Sequence, residues 1–194
     1  MIPALLRSFW PFRKAEREAR VVCRVLFVCM GNVCRSPTAE AVFKHQLSVA
    51  GLAERVVCAS AGTHDFNVGA SPDGRARAAA QRRGYDMSRM RGRCVAEEDF
   101  ARYDLVLAMD RQNLEALRQR CPGDRAERLR LLMEFARRHE ALDVPDPYYG
   151  NAKAFELVLD MIEDACEALV AHIRGRYMPV QDEQASGETC PPAH

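Results

Sequence analysis

The chain has 194 residues, 48% of them hydrophobic and 28% charged, and its 28 basic and 27 acidic side chains leave a formal charge of +1. This composition is typical of an ordinary globular protein with room for one domain, and the balanced charge argues against nucleic acid as a partner. The longest stretch without Asp, Glu, Lys or Arg covers residues 25–34, well short of the roughly 20 residues that an integral membrane segment needs.

The two ends of the chain differ from its middle. Residues 1–20 mix bulky apolar side chains with basic ones, but Pro3 and Pro11 weaken a membrane-surface helix, so we expect a disordered extension or a misassigned start. Residues 179–194 carry acidic side chains and no Lys or Arg, and we expect a disordered acidic tail. The domain is therefore predicted over residues 21–178. No secretory cleavage pattern follows the first apolar run, so we expect a cytoplasmic location.

The cysteines are expected to be free thiols. A chain of this length with a real core does not need disulfides, and C-x-x-C pairs are absent. We therefore expect one or two reactive thiols and neither a metal nor a cofactor. The eight cysteines are Cys23, Cys29, Cys34, Cys58, Cys94, Cys121, Cys166 and Cys190.

Predicted strands and helices alternate along the chain. The nearly all-apolar run 21–29 predicts a buried strand, and after a tight loop Ser36 and Pro37 are predicted as the N-cap and first residue of a helix that Gly51 ends. Residues 61–71 and the double-proline stretch DVPDPYYGN are predicted as loops. Further strands are predicted over 56–60, 105–109 and 142–144, and further helices over 72–83, 111–120 and 129–139.

An apolar stripe at helical spacing predicts a long final helix that packs on the core. Strands that alternate with helices favour a three-layer α/β fold, with a central four-stranded parallel sheet between helices. In such sheets ligands bind beyond the carboxyl ends of the strands, where the first strand meets its loop. The stripe consists of Phe155, Val158, Leu159, Ile162, Cys166, Leu169, Val170 and Ile173.

The stretch VLFVCMGNVCRSP, residues 25–37, has the chemistry of an anion cradle. A loop between a strand and a helix presents backbone N–H groups and the positive end of the helix dipole. Gly31 allows close backbone approach, Asn32 tolerates left-handed dihedrals, and Arg35 can hold two phosphate oxygens with its planar fork. These features predict a phosphate site.

Cys29 lies at the floor of this cradle and is predicted to be a nucleophile. The N–H groups, the dipole and Arg35 favour the thiolate, which lowers the pKa of activated cysteines to about 3.5–7.5, and Ser36 could donate a hydrogen bond to the sulfur. The alternative is that Cys29 is a small apolar residue at the end of a strand.

Five stretches then match a known family in order along the chain. CMGNVCRSP resembles the active-site signature of the low-molecular-weight protein tyrosine phosphatases, and the resemblance covers roughly residues 22–175. It implies a flavodoxin-like, phosphotyrosine phosphatase I-like fold, and hydrolysis of phosphotyrosine and small aryl phosphates through a phosphocysteine. The other matches are SAGT at 60–63, DFNVGASPDGRA at 65–76, AMDRQNL at 108–114 and DPYYGN at 146–151.

The resemblance also assigns roles to residues outside the loop. It implies that Asp146 is the general acid, whereas turn statistics alone would make it a turn residue before Pro147. It makes Tyr148 and Tyr149 one wall of a deep slot and Phe66 the facing wall, where relatives often carry Tyr or Trp. Within the loop it assigns substrate binding to Met30, Gly31, Asn32, Val33, Cys34 and Ser36.

A supporting network is implied as well. In the family Asn32, Ser36 and Ser60 hold the strained loop, often together with a histidine, but MSRMRGR at 87–93 has no His. Asp110 resembles a supporting aspartate, although it could equally be a helix N-cap. The resemblance further implies that Cys34 can capture an oxidised Cys29 as a reversible disulfide, which would make the enzyme redox-sensitive.

Two other functions remain as alternatives. Thioredoxin-linked arsenate reduction would need two further cysteines close together, whereas Cys94 and Cys121 are far apart in the sequence. A non-catalytic phosphopeptide-binding module would need neither Cys29 nor Asp146.

The partners implied are phosphotyrosine proteins, with a bacterial tyrosine kinase as one candidate, and we expect a monomer or weak dimer. The arginine-rich stretch 75–93 is predicted to be a solvated face rather than a surface for acidic substrates.

Overall fold

One parallel sheet forms the centre of the molecule. The computed structural model describes Glu18 and residues 20–178, so the predictions for the extension and the tail lie, apart from Glu18 and Arg20, outside the described residues. All strand pairs are parallel and the strand order is β2-β1-β3-β4, so the carboxyl ends share one edge. The strands are β1 (Cys23–Cys29), β2 (Val56–Gly62), β3 (Leu105–Ala108) and β4 (Leu129–Leu131).

Helices cover both faces of this sheet, and the predicted α/β fold with a four-stranded parallel sheet is confirmed. Two short 3-10 helices, Gly123–Arg128 and Leu132–Phe135, flank β4. The α-helices are α1 (Arg35–Val49), α2 (Gly74–Arg82), α3 (Glu97–Arg102), α4 (Arg111–Arg118) and α5 (Ala152–Tyr177).

The alternation of β1 divides the core in two. Val25 and Phe27 point to the face covered by α1 and α5, whereas Leu26 and Val28 pack with Phe100 of α3 and the apolar side of α4. A strand that is apolar on both faces is typical of the centre of a parallel sheet between two helix layers. Because β1 is buried on both faces, its position is fixed, and so is the position of the loop that begins at its carboxyl end.

The arginine-rich stretch is largely engaged in ion pairs. Arg83 alone contacts Glu156, Asp160 and Glu163 of α5, which ties the end of α2 to the long helix. Such exposed pairs contribute little stability one by one, but they leave fewer free charges for a substrate. The pairs with carboxylates in this stretch are Arg75–Asp73, Arg82–Glu156, Arg83 with its three partners, and Arg93–Asp99.

The predicted helix over 129–139 is wrong. Residues 129–131 pair with β3 as an edge strand, with both leucines buried, and a single 3-10 turn follows. Glu134 accepts a hydrogen bond from the N–H of Leu131 and pairs with Arg130, which ends the strand. Pairing of residues 129–131 with the free edge of the sheet therefore prevailed over the helix, which only the local sequence pattern favoured.

The predicted strand over 142–144 is also wrong, because the backbone of Val144 is used elsewhere. Its N–H donates to the carbonyl of Met109 (2.8 Å), just beyond β3, and its carbonyl accepts from Arg35 (3.1 Å). A single backbone bond to the sheet's end does not make a strand. The segment instead delivers a carbonyl to the site described below.

Two smaller differences concern helix starts. Helix α1 begins at Arg35 with Cys34 as its N-cap, so the predictions of Ser36 as N-cap and Pro37 as first helical residue are wrong. The side chain of Ser36 is therefore not used for capping and makes another contact. Helix α3 was not predicted; the Asp99 carboxylate accepts from the N–H of Ala96 and holds its first turn. Within the described residues, no helix is long and apolar enough to cross a membrane.

Candidate active site

The loop between β1 and α1 forms the floor of a cleft at the carboxyl edge of the sheet. The end of β2 holds its first turn, since the N–H groups of Thr63 and His64 donate to the carbonyls of Cys29 (2.9 Å) and Met30 (3.0 Å). A Cβ at Gly62 would come within 2.8 Å of the Met30 carbonyl, so only glycine fits there. The loop is therefore packed directly against the neighbouring strand.

The sulfur of Cys29 receives polar contacts from its own loop. The backbone N–H of Asn32 points at Sγ (3.3 Å), and Ser36 Oγ lies 3.0 Å from it. Ser36 Oγ is also 3.1 Å from the carbonyl of Ala61, so its single proton can serve either acceptor. A thiolate at this position would accept a hydrogen bond from the Ser36 hydroxyl, which is the contact that the sequence predicted for Ser36.

Asn32 is the centre of the hydrogen bonds beneath the loop. Its φ of 54° is the one positive value at a non-glycine position among the described residues. The side-chain amide donates to Ser36 Oγ and Ser60 Oγ (both 2.9 Å) and its oxygen accepts from the backbone N–H of Arg93 (2.9 Å). The side chain is thus fully hydrogen-bonded without a histidine, because a backbone amide supplies the remaining donor.

Arg35 is buried beside the sulfur, with a side chain only 3% exposed. One guanidinium nitrogen donates to Asp110 (2.5 Å) and to the carbonyl of Val144 (3.1 Å), and the other donates to Asp146 (2.9 Å). Burial alone would lower the pKa of Arg35, but the electrostatic interactions with Cys29, Asp146 and Asp110 and the hydrogen bond to Asp110 outweigh burial and hold that pKa above its ordinary value. The fork is a fixed positive charge at the cleft floor.

Two carboxylates hold this guanidinium, and each has a second task. Asp110 accepts from the N–H of Asn113 (2.6 Å) and caps α4, so the supporting role and the N-cap role considered for it coexist. Asp146 accepts from the N–H of Tyr148 (3.1 Å) through its other oxygen, the geometry of a turn residue. The turn therefore points the carboxyl group of Asp146 into the cleft, and its position in a turn does not exclude a chemical role.

Three aromatic side chains line the cleft above this floor. Phe66 is 72% exposed, Tyr148 47% and Tyr149 97%. The loop of Phe66 is tied to the floor by Asn67, whose amide donates to the carbonyl of Gly31 (3.2 Å). The cleft holds about 330 Å³ and is lined by Cys29, Met30, Gly31, Val33, Cys34, Arg35, Phe66, Asn67, Asp146, Tyr148 and Tyr149.

Most of the residues singled out from the sequence meet at this cleft. The exceptions are Asn32 and Ser36, predicted to bind substrate, and the supporting Ser60 and Asp110; their side chains lie beneath or behind the floor. Sequence reasoning missed Asn67, Val144 and the backbone of Arg93. Of these three, only Asn67 could have been found from the sequence, because it follows Phe66 in the stretch DFNVGASPDGRA.

Cys34 also lines the cleft, but as a protonated thiol. It is 5% exposed, and burial, followed by the charges of Asp73, Asp146 and Cys29, raises its pKa to about 12. Cys29 and Cys34 are both free thiols in the structure. Of these two cysteines, only Cys29 receives N–H and hydroxyl contacts on its sulfur.

Comparison with known proteins gives a consistent family. The profile described as low molecular weight phosphotyrosine protein phosphatase matches residues 24–178. A low molecular weight protein-tyrosine-phosphatase of Streptomyces coelicolor is 44% identical over 154 residues, which cover 78% of this chain and 93% of that one. A low molecular weight phosphotyrosine protein phosphatase of Sus scrofa is 36% identical and covers 80% of this chain and 98% of its own length.

Solved structures agree with the sequence matches. The protein tyrosine phosphatase of Entamoeba histolytica, crystallised with Hepes in its active site, superposes with a TM-score of 0.77 at 39% identity and covers 79% of this chain and 97% of its own. YfkJ from Bacillus subtilis superposes with a TM-score of 0.75 at 34% identity, covering 79% and 96%. Arsenate reduction, considered above as an alternative, gains no support from these matches. The chain belongs to the low molecular weight protein tyrosine phosphatases.

Proposed function

We propose that this phosphatase hydrolyses phosphotyrosine with Cys29 as nucleophile, Arg35 as phosphate ligand and Asp146 as general acid and base. The observation that carries this proposal is the convergence of the three side chains on one cleft floor, with Arg35 in contact with Asp146 and beside the sulfur. A thiol, a forked cation and a carboxyl group are the set that phosphoryl transfer to sulfur requires.

Binding begins with the phosphate on the loop. Its oxygens accept from Arg35, which presents two nitrogens in the plane that matches a phosphate. Asp146 occupies one of these nitrogens in the structure (2.9 Å), so phosphate and carboxylate compete for the same donor. Substrate binding thereby frees the Asp146 oxygen to face the leaving group.

The chemistry then proceeds in two balanced steps. The Cys29 thiolate attacks phosphorus, the bond from phosphorus to the phenolic oxygen breaks, and Asp146 gives its proton to that oxygen so that tyrosine leaves neutral. Water next attacks the phosphocysteine while Asp146 accepts its proton, the sulfur–phosphorus bond breaks, and phosphate and the thiolate are released. Ser36 and the Asn32 N–H stabilise the thiolate at both ends of the cycle.

The exposed rings account for the preference for an aromatic substrate. In this proposal Phe66 forms one wall and Tyr148 with Tyr149 the other, so that the rings contact both faces of a phenyl ring. Aromatic contacts of this kind contribute roughly 0.5–1.5 kcal/mol beyond burial. The shorter phosphoserine side chain would leave these rings untouched.

We keep the remaining expectations as proposals. They are phosphotyrosine proteins as substrates, a bacterial tyrosine kinase among the candidate partners, a monomer or weak dimer, a cytoplasmic location, and one phosphatase domain over residues 21–178. Redox capture by Cys34 also remains a proposal, and its pKa of about 12 implies that the attack on oxidised Cys29 speeds up as pH rises. A Cys29–Cys34 disulfide after mild peroxide supports it, and a sulfinic acid at Cys29 contradicts it.

The decisive experiment follows the phosphocysteine. The wild-type protein should hydrolyse p-nitrophenyl phosphate and a phosphotyrosine peptide, and rapid acid quench should trap phosphate on Cys29. Cys29→Ser should lose turnover, while the control Cys121→Ser, at a partly buried cysteine after α4, should keep it. Phosphopeptide binding without turnover by the wild type would instead indicate a binding module.

A further inference from the structure

Arg75, in the first turn of α2, is held in one orientation by Asp73. Its Nε and Nη2 donate to the two carboxylate oxygens of Asp73 (3.1 and 2.8 Å), and its backbone N–H donates to the same group (2.8 Å). A two-pronged contact of this kind fixes the plane of the guanidinium as well as its position. The guanidinium is therefore oriented although the side chain is 48% exposed.

Asp73 in turn is joined to the phosphate loop. Its backbone N–H donates to the carbonyl of Val33 (2.8 Å), one residue before the buried Cys34. The Asp73 carboxylate also caps α2, so the start of this helix is anchored to the cleft floor. Arg75 thus has a fixed position relative to the loop that holds the phosphate.

The face of the guanidinium lies over two aromatic rings. Its central carbon is 4.8 Å from the centroid of Phe155, a buried ring in the first turn of α5, and 5.6 Å from the centroid of Tyr148. Both distances are within the range of a cation–π contact. One cation therefore connects a fixed ring of the core with an exposed ring of the cleft wall.

Tyr148 has few other constraints on its ring. Its remaining aromatic neighbour is Tyr149, edge-on at 5.0 Å, which is itself almost fully exposed. The backbone of Tyr148 is better held, since its N–H donates to the carboxylate of Asp146 and Gly150 closes the turn onto Pro147. Among the ring and cation–π contacts of the described residues, the contact with Arg75 is the one that links this ring to the buried Phe155.

We propose that Arg75 is a positioning residue that holds the Tyr148 ring as a preformed wall of the cleft and thereby sets the affinity for the aromatic ring of the substrate. The inference rests on the function proposed above and extends it to a residue that does not line the cleft. A wall held in place before binding lowers the ordering cost that the substrate would otherwise have to overcome. The effect should appear in KM, because the wall contacts the ring and not the reacting phosphorus.

Kinetics of three variants test this role. Arg75→Gln should raise KM for p-nitrophenyl phosphate and a phosphotyrosine peptide about three- to tenfold, the range expected from losing a cation–π contact, with kcat within about twofold. Arg75→Lys keeps the charge but not the fork, so it should show a smaller rise in KM and an unchanged inhibition constant for inorganic phosphate. Arg77→Gln, exposed two residues further along α2, is the matched control and should change nothing.

Two results would overturn the proposal. If KM stays at the wild-type value in Arg75→Gln, the wall does not depend on this residue. If the inhibition constant for phosphate rises in Arg75→Lys in parallel with KM, Arg75 supports the phosphate loop rather than the wall.

A chemical readout separates this proposal from the function itself. Nitration by tetranitromethane, mapped by mass spectrometry, should modify Tyr148 more slowly than Tyr149 in the wild type, and Arg75→Gln should bring the two rates together. Equal rates already in the wild type, or an unchanged ratio in the variant, contradict the contact. Because nitration requires no turnover, a wild type without phosphatase activity would sink the proposed function and leave this test valid.

Discussion

The floor and the rim of the same cleft differ in how they are held. In the floor, Cys29, Asn32 and Arg35 are each at most 2% exposed as whole residues, and hydrogen bonds within the loop, to β2 and to two aspartates fix them. In the rim, Phe66 and Tyr149 are more than 70% exposed and few contacts fix their rings. The difference matches two tasks: charge must be placed before reaction, whereas a substrate ring can be met by surfaces that complete their contacts on binding.

Removing the acid is the strongest way to probe the floor. Asp146→Asn keeps an oxygen for the N–H of Tyr148 but can neither give nor accept a proton, so kcat for phosphotyrosine should fall about 10²- to 10⁴-fold. With p-nitrophenyl phosphate the loss should be smaller, because p-nitrophenolate leaves without protonation. Steady-state kinetics on both substrates measures the contrast.

The same variant has a second expected result. Removing the carboxylate charge from Arg35 takes away the competitor for phosphate, so inorganic phosphate should inhibit the variant at least as strongly as the wild type. A clearly weaker phosphate inhibition would mean that Asp146 orients Arg35 rather than competes with phosphate for it.

Asn32 tests how much of the floor depends on its buried hydrogen bonds. Asn32→Ala removes three of them, leaves the N–H of Arg93 without its acceptor and keeps a side chain at positive φ, so the free energy of unfolding should fall by about 2–4 kcal/mol. Asn32→Gly relieves the backbone and should recover about 1 kcal/mol of that loss. Urea unfolding measures both, and equal stability of the two variants would contradict a strained backbone.

Asp164 holds the segment 137–139, which comes shortly before the loop of Tyr148 and Tyr149 in the sequence. Its carboxylate, 2% exposed on α5, accepts from the N–H groups of Arg137, Arg138 and His139 and from the His139 ring. Burial alone would raise its pKa, but these donors outweigh it and lower the pKa from 3.8 to about 2. The folded chain therefore binds this proton more weakly than the unfolded chain.

The resulting stabilisation, about 2 kcal/mol, is present above pH 3.8 and is lost as pH falls towards 2. Asp164→Asn should lower the free energy of unfolding by this amount at pH 7, and the gap to the wild type should close in acid. Glu167→Gln, which removes an exposed partner of Arg138, is the control and should cost less than 0.5 kcal/mol. If the difference in free energy of unfolding between wild type and variant does not depend on pH, the charge of the Asp164 carboxylate is not its cause.

The sequence predicted the floor better than the rest of the molecule, for a physical reason. Cys29 to Pro37 is a contiguous stretch in which a strand end, a glycine, an asparagine and an arginine each have a local meaning. The fourth strand was misplaced, because the pairing of residues 129–131 with β3 depends on an open sheet edge that no local pattern records. The contact of Asn32 with the backbone of Arg93 could not be predicted either. Nearly every residue offers a backbone N–H, so the sequence does not mark the one that is used.

Substitution of Tyr149 should have the smallest effect on stability, so a change in KM can be assigned directly to the rim. Its ring is 97% exposed and touches Tyr148 edge-on, so Tyr149→Ala should change the free energy of unfolding by less than about 0.5 kcal/mol. KM for a phosphotyrosine peptide should nevertheless rise, because the ring loses its water only when the substrate covers it, and kcat should stay within about twofold. KM for p-nitrophenyl phosphate should rise less, since that substrate has no peptide to cover the outer ring. An unchanged peptide KM would place Tyr149 outside the binding surface and leave Tyr148 and Phe66 as the only walls proposed here.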